Sequence, residues 1–239
     1  MSSQKKVLVA VTSYNKIFYK DGKKTGLFLV EALHPFNVFK ENGYDVDFVS
    51  ETGTYGFDDH SLGPDFLNGK DLEVFNDAKS DFNVHLKNIK KASEVNADDY
   101  GIFFASAGHG TLFDYPQAKV LQSLGENIWS NGGVLAAVCH GGAIFDGMVD
   151  KANGKPLLQG KSITGFTDIG EAILGVDGIM KENELQSIEE MTKKYGGKYL
   201  APIGPWDDYS VSDGKLITGV NPASAISTAK RSLIAFEAI

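Results

Sequence analysis

The chain has 239 residues, of which 42% are hydrophobic, and its 23 Lys and Arg against 31 Asp and Glu give a net charge of −8. This length suits one α/β unit with a sizeable core, and the acidic balance argues against nucleic acid or an anionic membrane as a partner. The single cysteine excludes an internal disulfide, which fits a reducing compartment.

The start of the chain, MSSQKK, lacks the apolar stretch of a signal peptide, and no apolar run approaches the roughly 20 residues of a membrane helix. We therefore expect a cytoplasmic protein, with the nucleus as a further compartment. One domain should span residues 1–239, with surface insertions at about residues 51–98 and 175–210.

The first half of the chain alternates short apolar runs with helical patterns. Strands are predicted at residues 5–12, 44–50 and 100–105, and helices at residues 26–42 and 81–94. The first helix should end at Asn42-Gly43. Residues 13–25, with a turn at Asp21-Gly22, and residues 51–71 are expected to be irregular.

The second half continues the alternation. Helices are predicted at residues 116–130, 182–195 and 222–237, strands at 134–138 and 161–165, a loop or helix start at 167–174, and a hairpin at 209–219. This pattern favours a mostly parallel sheet with helices on both faces, whose ligands bind beyond the carboxyl ends of the strands. The loop after Thr12, residues 106–111 and Cys139-His140 should therefore converge.

The sharpest chemical signal lies in residues 131–147, NGGVLAAVCHGGAIFDG. Cys139 follows a buried strand at a glycine-rich turn, and a helix is expected to start at Ala143. Such a turn exposes a nucleophile, while the amides of the helix N-terminus would lower the pKa of the thiol and hold an oxyanion. A small buried cysteine at a strand end is the plainer alternative.

Glu31 stands in an otherwise apolar helix, on the same face as Leu27 and Pro35. We expect it to be at least partly buried, with a raised pKa that lets it exchange a proton with a nearby thiolate. Pro35 removes the helix hydrogen bond to the Glu31 carbonyl and marks a local kink. An ordinary solvated glutamate is the alternative.

His140 follows Cys139 directly, so their side chains are expected to diverge rather than to form an ion pair. A third group could still fix its tautomer; Glu171 is favoured for this part and Asp168 is the second choice. Amides near Gly108 could complete an oxyanion hole, whereas His109 is interpreted as a loop histidine. Neither the histidine spacing nor the single cysteine supports a metal site.

The segment Gly204-Pro205-Trp206-Asp207-Asp208-Tyr209 is either the rim of a pocket or a loop cluster. Five motifs, TGLFLVEALHP, SAGHGT, AVCHG, TGFTDIGE and GPWDDYS, together resemble the fungal Hsp31-type chaperone and glyoxalase III group. That group belongs to the parkinsonism-associated deglycase and PfpI superfamily. One departure is Gly142, where the group commonly has proline.

The resemblance implies a flavodoxin-like, class I glutamine amidotransferase-like fold and a cofactor-independent glyoxalase III that converts methylglyoxal and water to D-lactate. It assigns Cys139 as the nucleophile, His140 as its partner, Glu171 as the third member and Glu31 as the acid beside the thiol. Gly108 and His140 would bind the substrate oxyanion. It also implies a homodimer, glyoxal as another small dicarbonyl substrate, and unfolded client proteins as further partners.

Other functions use the same residues. A holdase chaperone needs an exposed apolar patch, a protein deglycase or a cysteine peptidase would use the same cysteine, and a redox sensor would oxidise Cys139. A second cysteine that could resolve a sulfenic acid does not occur in the chain.

Overall fold

The computed structural model describes residues 5–239, and its centre is a seven-stranded sheet. Its strands are β1 (Lys6–Ala10), β2 (Asp45–Ser50), β3 (Lys90–Lys91), β4 (Ile102–Ala105), β5 (Val134–Val138), β6 (Ser210–Asp213) and β7 (Leu216–Gly219). Across the sheet the order is β6-β7-β5-β4-β1-β2-β3, and all neighbours are parallel except the hairpin pair β6 and β7. The mostly parallel sheet and the hairpin at 209–219 are thus confirmed.

Helices cover both faces of this sheet. They are α1 (Leu29–Glu41), α2 (Gly69–Asn76), α3 (Asp81–Lys87), α4 (Thr111–Asp114), α5 (Lys119–Ser130), α6 (Asp168–Leu174), α7 (Asp177–Glu182), α8 (Ile188–Lys194) and α9 (Ala225–Glu237). On β1, Val7 and Val9 belong to the core under α1 and α9, whereas Leu8 and Ala10 belong to the core under α5. Successive residues of a strand point to opposite faces, so the continuous apolar run fits a strand that is buried on both sides.

Two predicted helices are shorter than expected. The helix predicted at 81–94 ends at Lys87, because Lys90 and Lys91 pair with the end of β2 as the edge strand β3. The helix predicted at 182–195 is limited to α8, because α7 ends at Glu182 and residues 183–187 separate the two helices. Ser187 starts α8 with a capping box, in which its side chain accepts the Glu190 backbone N–H.

The segments predicted as irregular contain short elements. Residues 13–25 include a two-stranded antiparallel pair, Lys16–Ile17 with Lys24–Thr25, and α2 begins inside residues 51–71. The strand predicted at 161–165 is only Ser162–Ile163, and it pairs with Lys198–Tyr199 outside the central sheet. Within residues 5–239, no helix is long and apolar enough to cross a membrane.

Three neighbouring strands position the candidate site. β5, β4 and β1 lie side by side and parallel, so the chain leaves all three at the same edge of the sheet. The Ser106 backbone N–H, just after β4, donates to the Ala10 carbonyl at the end of β1 over 2.9 Å. The predicted convergence of the loop after Thr12, residues 106–111 and Cys139-His140 is therefore confirmed.

Candidate active site

The turn after β5 holds Cys139 in a backbone conformation that is rare for a side-chain-bearing residue. Its φ is 55°, in the left-handed region, and such strain typically persists only where the surroundings enforce it. A Cβ at Gly141 would lie 2.5 Å from the Ala105 carbonyl oxygen, so the chain passes β4 too closely for any other residue. A 3-10 helix over Cys139–Phe145 follows, instead of the helix expected to start at Ala143.

Cys139, His140 and Glu171 form a hydrogen-bonded series. The Cys139 Sγ lies 3.2 Å from His140 Nδ1, and His140 Nε2 lies 2.7 Å from Glu171 Oε1. The expectation that the neighbouring thiol and imidazole diverge is wrong, because the left-handed backbone at Cys139 brings the two side chains together. The acid at His140 is Glu171; Asp168 starts α6 as an exposed residue.

Glu31 lies in the first turn of α1 and is fully buried. Neither of its carboxyl oxygens has a hydrogen-bond partner among the described residues. Burial raises the pKa of Glu31 to about 8, the Asp58 carboxylate adds to the rise, and the interaction with the Cys139 thiol opposes it. The predicted burial and raised pKa are confirmed, and the carboxyl group holds a proton at neutral pH.

The pKa of the Cys139 thiol differs from the prediction. Burial raises the pKa of Cys139 well above its usual value, and an ionised Glu31 raises it further, whereas the backbone N–H of His140 opposes this. The prediction of a lowered pKa is therefore wrong, because Cys139 is only 5% exposed. A group beside the sulfur must accept its proton before it can attack a substrate.

His140 can be that group. Burial lowers the pKa of His140, and the neighbouring His109 lowers it further against the attraction of Glu171. Burial alone would raise the pKa of Glu171, but His140 and His109 outweigh it and hold that pKa well below its usual range. An ionised Glu171 accepts the Nε2–H of a neutral His140, which leaves Nδ1 free to accept the thiol proton.

His109 is part of this network and is not the loop histidine of the sequence interpretation. Its Nε2 lies 3.0 Å from Glu171 Oε2, and its Nδ1 lies 3.1 Å from the Tyr19 hydroxyl oxygen. Tyr19 in turn donates to Asp58 Oδ2 over 2.7 Å. The sequence signal for His109 was its place in a glycine-rich turn after a strand, whereas no pattern pointed to Tyr19 or Asp58.

A cavity of about 170 Å³ lies at the carboxyl edge of the sheet, and Glu31, Cys139, His140, His109 and Tyr19 line it. That volume is below the roughly 300–1,000 Å³ typical of sites for drug-sized ligands. Its wall is mostly apolar and meets the reactive groups at one end. The lining residues are Tyr19, Phe28, Glu31, His60, Phe66, Gly108, His109, Cys139, His140, Phe166, Leu174, Val176, Trp206 and Pro222.

The relatives and the solved structure found by comparison with known proteins belong to one family. A scan against protein-family models finds no match. The glutathione-independent glyoxalase HSP31 of Saccharomyces cerevisiae is 66% identical over 233 residues, covering 98% of both chains. Glyoxalase 3 of Candida albicans is 59% identical over 97% of this chain and 98% of that protein. The crystal structure of glyoxalase III from Candida albicans has a TM-score of 0.96 at 58% identity, over 98% of each chain.

The chain belongs to the glutathione-independent glyoxalase family.

The fold of this glyoxalase family member also resembles a ThiJ/PfpI domain protein from Brachyspira murdochii, with a TM-score of 0.61 over 100% of this chain and 99% of that one. At 16% identity this likeness concerns the fold alone. It confirms the predicted flavodoxin-like class.

Gly108, His140 and the segment 204–209 are the remaining positions that were predicted from the sequence of this family member. Gly108 and His140 line the cavity, and their part in holding an oxyanion stays a prediction. Trp206 lies at the rim and packs near Phe166, with ring centroids 5.7 Å apart. Asp207 and Asp208, in contrast, serve the loop, because Asp207 accepts the Gly204 backbone N–H and Asp208 accepts the Ser227 hydroxyl.

One cluster in this glyoxalase family member has the residue types of a metal site. The polar atoms of His109, His140 and Glu171 lie within 4.8 Å of one another. However, each histidine directs its Nε2 at a different oxygen of Glu171, and that contact requires a proton on the nitrogen. A nitrogen that binds a metal must be deprotonated, so this arrangement is a hydrogen-bonded network.

Proposed function

We propose that this protein is a glutathione-independent glyoxalase III that converts methylglyoxal and water to D-lactate. One observation carries the proposal: the buried Cys139 thiol contacts His140 Nδ1 in a small apolar cavity that also holds the carboxyl group of Glu31, which has no hydrogen-bond partner among the described residues. The same unit, a protonated acid beside a nucleophile, is what the rearrangement of a 2-oxoaldehyde requires. The substrate class agrees with the names of the relatives, which are glyoxalases.

The first step forms a hemithioacetal. His140 takes the thiol proton through Nδ1, and the sulfur attacks the aldehyde carbon. The aldehyde oxygen gains negative charge and takes the proton that Glu31 holds, so that Glu31 becomes a carboxylate. Backbone N–H groups near Gly108 and His140 support the developing oxyanion.

The second step moves hydrogen between the two substrate carbons. The Glu31 carboxylate removes the proton of the hemithioacetal carbon, while His140 protonates the neighbouring carbonyl oxygen, and an enediol results. Glu31 then delivers its proton to the second carbon, and the hydroxyl of the first carbon returns a proton to His140. The product is a lactoyl thioester: one carbon has been oxidised and the other reduced.

The third step is hydrolysis. The Glu31 carboxylate takes a proton from water, the resulting hydroxide attacks the thioester, and the sulfur leaves as it regains a proton from His140. Lactic acid departs, and Cys139, His140 and Glu31 return to their initial protonation states. The two redox changes balance within the substrate, so the scheme uses no glutathione and no redox cofactor.

The test is lactate formation from methylglyoxal by the purified protein without glutathione or added metal. D-lactate from the wild type and none from Cys139→Ala is the expected result, with unchanged circular dichroism as the control for folding. Glu31→Gln should lower kcat by about 10²–10⁴-fold, the usual contribution of acid–base catalysis. Lactate from Cys139→Ala at the wild-type rate would refute the mechanism.

We also propose that the protein is a homodimer in the cytoplasm and that it can bind unfolded client proteins. Exposed apolar side chains on α6 and in the loop before β6 support an association surface, and two of them, Leu174 and Trp206, also line the cavity; the set is Ile169, Ile173, Leu174, Ile203 and Trp206. Light scattering after size exclusion tests the dimer, and suppression of citrate synthase aggregation by Cys139→Ala tests client binding. A monomeric mass or unhindered aggregation would reject the respective proposal.

A further inference from the structure

His109 joins the Cys139 site to a second buried acid. From the sulfur, contacts run through His140, Glu171, His109 and Tyr19 to Asp58, and each separation lies between 2.7 and 3.2 Å. All six side chains are buried. Each contact in a buried series of this kind needs one proton, because a buried donor or acceptor without a hydrogen bond destabilises the folded protein.

The number of available protons fixes the state of His109. Asp58 Oδ1 accepts the backbone N–H groups of His60 and Ser61, so Asp58 acts as an acceptor in these contacts. Tyr19 has one hydroxyl proton and donates it to Asp58 Oδ2. Since that proton is used, the contact between Tyr19 and His109 Nδ1 requires a proton on the nitrogen.

The other nitrogen of His109 also needs a proton. Its partner is Glu171 Oε2, and an ionised carboxylate only accepts hydrogen bonds. With protons on both nitrogens, the ring is an imidazolium between Glu171 on one side and the Tyr19–Asp58 pair on the other. The ring of Phe18 stacks against it with centroids 5.2 Å apart, a contact that favours a cation.

We propose that His109 is a positioning residue that carries a fixed positive charge and thereby keeps His140 neutral, so that His140 can take the proton of Cys139. The two imidazole rings lie 4.0 Å apart between centroids, and both donate to the same carboxylate. A cation at this distance opposes a second positive charge on His140. Among the described residues the side-chain hydrogen bonds of His109 go to Tyr19 and Glu171, so its effect on the sulfur runs through His140.

Several other titratable groups surround His109 and belong to the same electrostatic balance. Glu171, His140 and Tyr19 contact it directly. Asp58, His60 and Cys139 each contact one of these three, and Glu31 lines the same cavity. Removing one positive charge from this group increases the proton affinity of the Cys139–His140 pair whichever of the two holds the proton. The acid limb of any pH profile that reports on this pair must therefore move to higher pH.

The role in turnover rests on the proposed glyoxalase function, so the test uses two profiles. The first is kcat/KM for methylglyoxal against pH, and the second is the rate of Cys139 alkylation by iodoacetamide, which needs no dicarbonyl. In His109→Gln, which can still donate to Glu171, the acid midpoint of both profiles should rise by about 1–3 pH units, the usual effect of a charge within ~4–6 Å. At alkaline pH both rates should return towards those of the wild type.

Two controls separate charge from structure. His34→Gln removes a histidine that pairs with Asp71 over 2.8 Å outside the cavity, and should leave both midpoints in place. Tyr19→Phe keeps the ring but leaves His109 Nδ1 without its acceptor, so it should move the midpoints in the same direction as His109→Gln. It also replaces His109→Gln if that variant does not fold.

The state of His109 can be measured directly in the wild type. The ring ¹⁵N signals of His109 are assigned by their loss in His109→Gln or by their change in Tyr19→Phe. In the wild type at neutral pH, these signals should have the chemical shifts of a doubly protonated imidazolium. A neutral His109, or acid midpoints that stay in place in both variants, would overturn the inference. A moved alkylation midpoint without lactate formation would keep the charge relationship and reject the glyoxalase function alone.

Discussion

The Cys139 Sγ lies 3.2 Å from Nδ1 of His140, although the two residues are neighbours in the chain. Adjacent side chains in a strand point to opposite faces, so this contact depends on the left-handed backbone at Cys139. The close passage of Gly141 beside the end of β4 fixes that turn. The reactive geometry is therefore enforced by packing of the main chain.

Gly141→Ala should disrupt this turn. Its Cβ would lie 2.5 and 2.8 Å from the carbonyl oxygens of Ala105 and Ser106, so the main chain at Cys139 must shift. We expect a loss of about 1–3 kcal/mol in the free energy of unfolding and at least a roughly 10²-fold loss of kcat/KM, since small displacements of reacting groups have effects of about this size. Urea unfolding and lactate assays measure the two effects.

The adjacent glycine provides a matched control. A Cβ at Gly142 meets only side-chain atoms of Ile188, at 3.4 Å and beyond, which is ordinary contact. Gly142→Ala should therefore keep the stability and activity within a few-fold of the wild type. Equal losses in both variants would mean that the turn does not depend on the approach of Gly141 to β4.

Glu31→Gln should stabilise the protein increasingly as the pH rises. In the folded state the pKa of Glu31 is about 8, against 4.5 ordinarily. Below about pH 4 both states hold the proton; as the pH rises, the unfolded chain releases it first, so the wild type loses up to about 1.4 kcal/mol per pH unit until the folded state also ionises. The glutamine variant lacks this loss.

Urea unfolding at about pH 5, 6.5 and 8 measures the difference, because the glutamine side chain has the same shape as the protonated acid and does not titrate. The gap between variant and wild type should grow to a few kcal/mol at the highest pH. Glu73→Gln, which changes an exposed glutamate on α2, is the control and should show a constant gap. A constant gap for Glu31→Gln as well would refute the buried, protonated state.

Glu171→Gln should have the opposite pH dependence. The two histidines hold the pKa of Glu171 below its usual range, so its ionised form stabilises the fold above about pH 4 and this stabilisation is lost as the pH falls through the lowered folded-state pKa. At neutral pH we expect a loss of about 3–5 kcal/mol, as for other broken buried ion pairs. The deficit should shrink in acid.

The same variant should lose about 10⁴-fold in kcat/KM, because the wrong tautomer of the imidazole becomes favoured. Glu182→Gln, at the exposed end of α7, is the control and should match the wild type in stability and activity. If the stability deficit of Glu171→Gln did not change with pH, Glu171 would not be ionised in the folded protein.

The sequence predicted the sheet well because its strands are buried on both faces. The apolar runs that became β1, β4 and β5 need no information from distant residues. The helix predicted at 81–94 was wrong at its end because Lys90 bonds Asp47 on β2 over 2.7 Å, a contact between residues 43 positions apart. The local sequence pattern carries no information about contacts between residues so far apart in the chain.

At the site, Glu171 and the polar residues beside apolar runs were predictable, whereas the residues that contact His109 from the other side were not. Cys139, His140 and Glu31 stand out as polar groups beside apolar runs. Tyr19 and Asp58 come from segments without periodicity, and they reach His109 only through folding of residues 16–25 and 57–62 over the sheet edge. The raised pKa of the thiol also escaped prediction, because burial by these segments is not visible in the turn itself.

Leu174→Ala should change the substrate preference. Leu174 lines the cavity at the end of α6, whereas its neighbour Ile173 is 61% exposed and does not line it. Shortening Leu174 enlarges a cavity of about 170 Å³ on its apolar side, so a dicarbonyl with a larger side chain should gain access. We expect the ratio of kcat/KM for phenylglyoxal over methylglyoxal to rise about 10-fold, a typical effect of changing a few methylene groups in an apolar pocket.

Ile173→Ala removes an apolar side chain of similar size from the same helix and should leave the ratio unchanged. Because both variants expose the same helix to solvent, a rise in both would assign the effect to mobility of α6, and a rise in neither would show that Leu174 does not limit the size of the substrate.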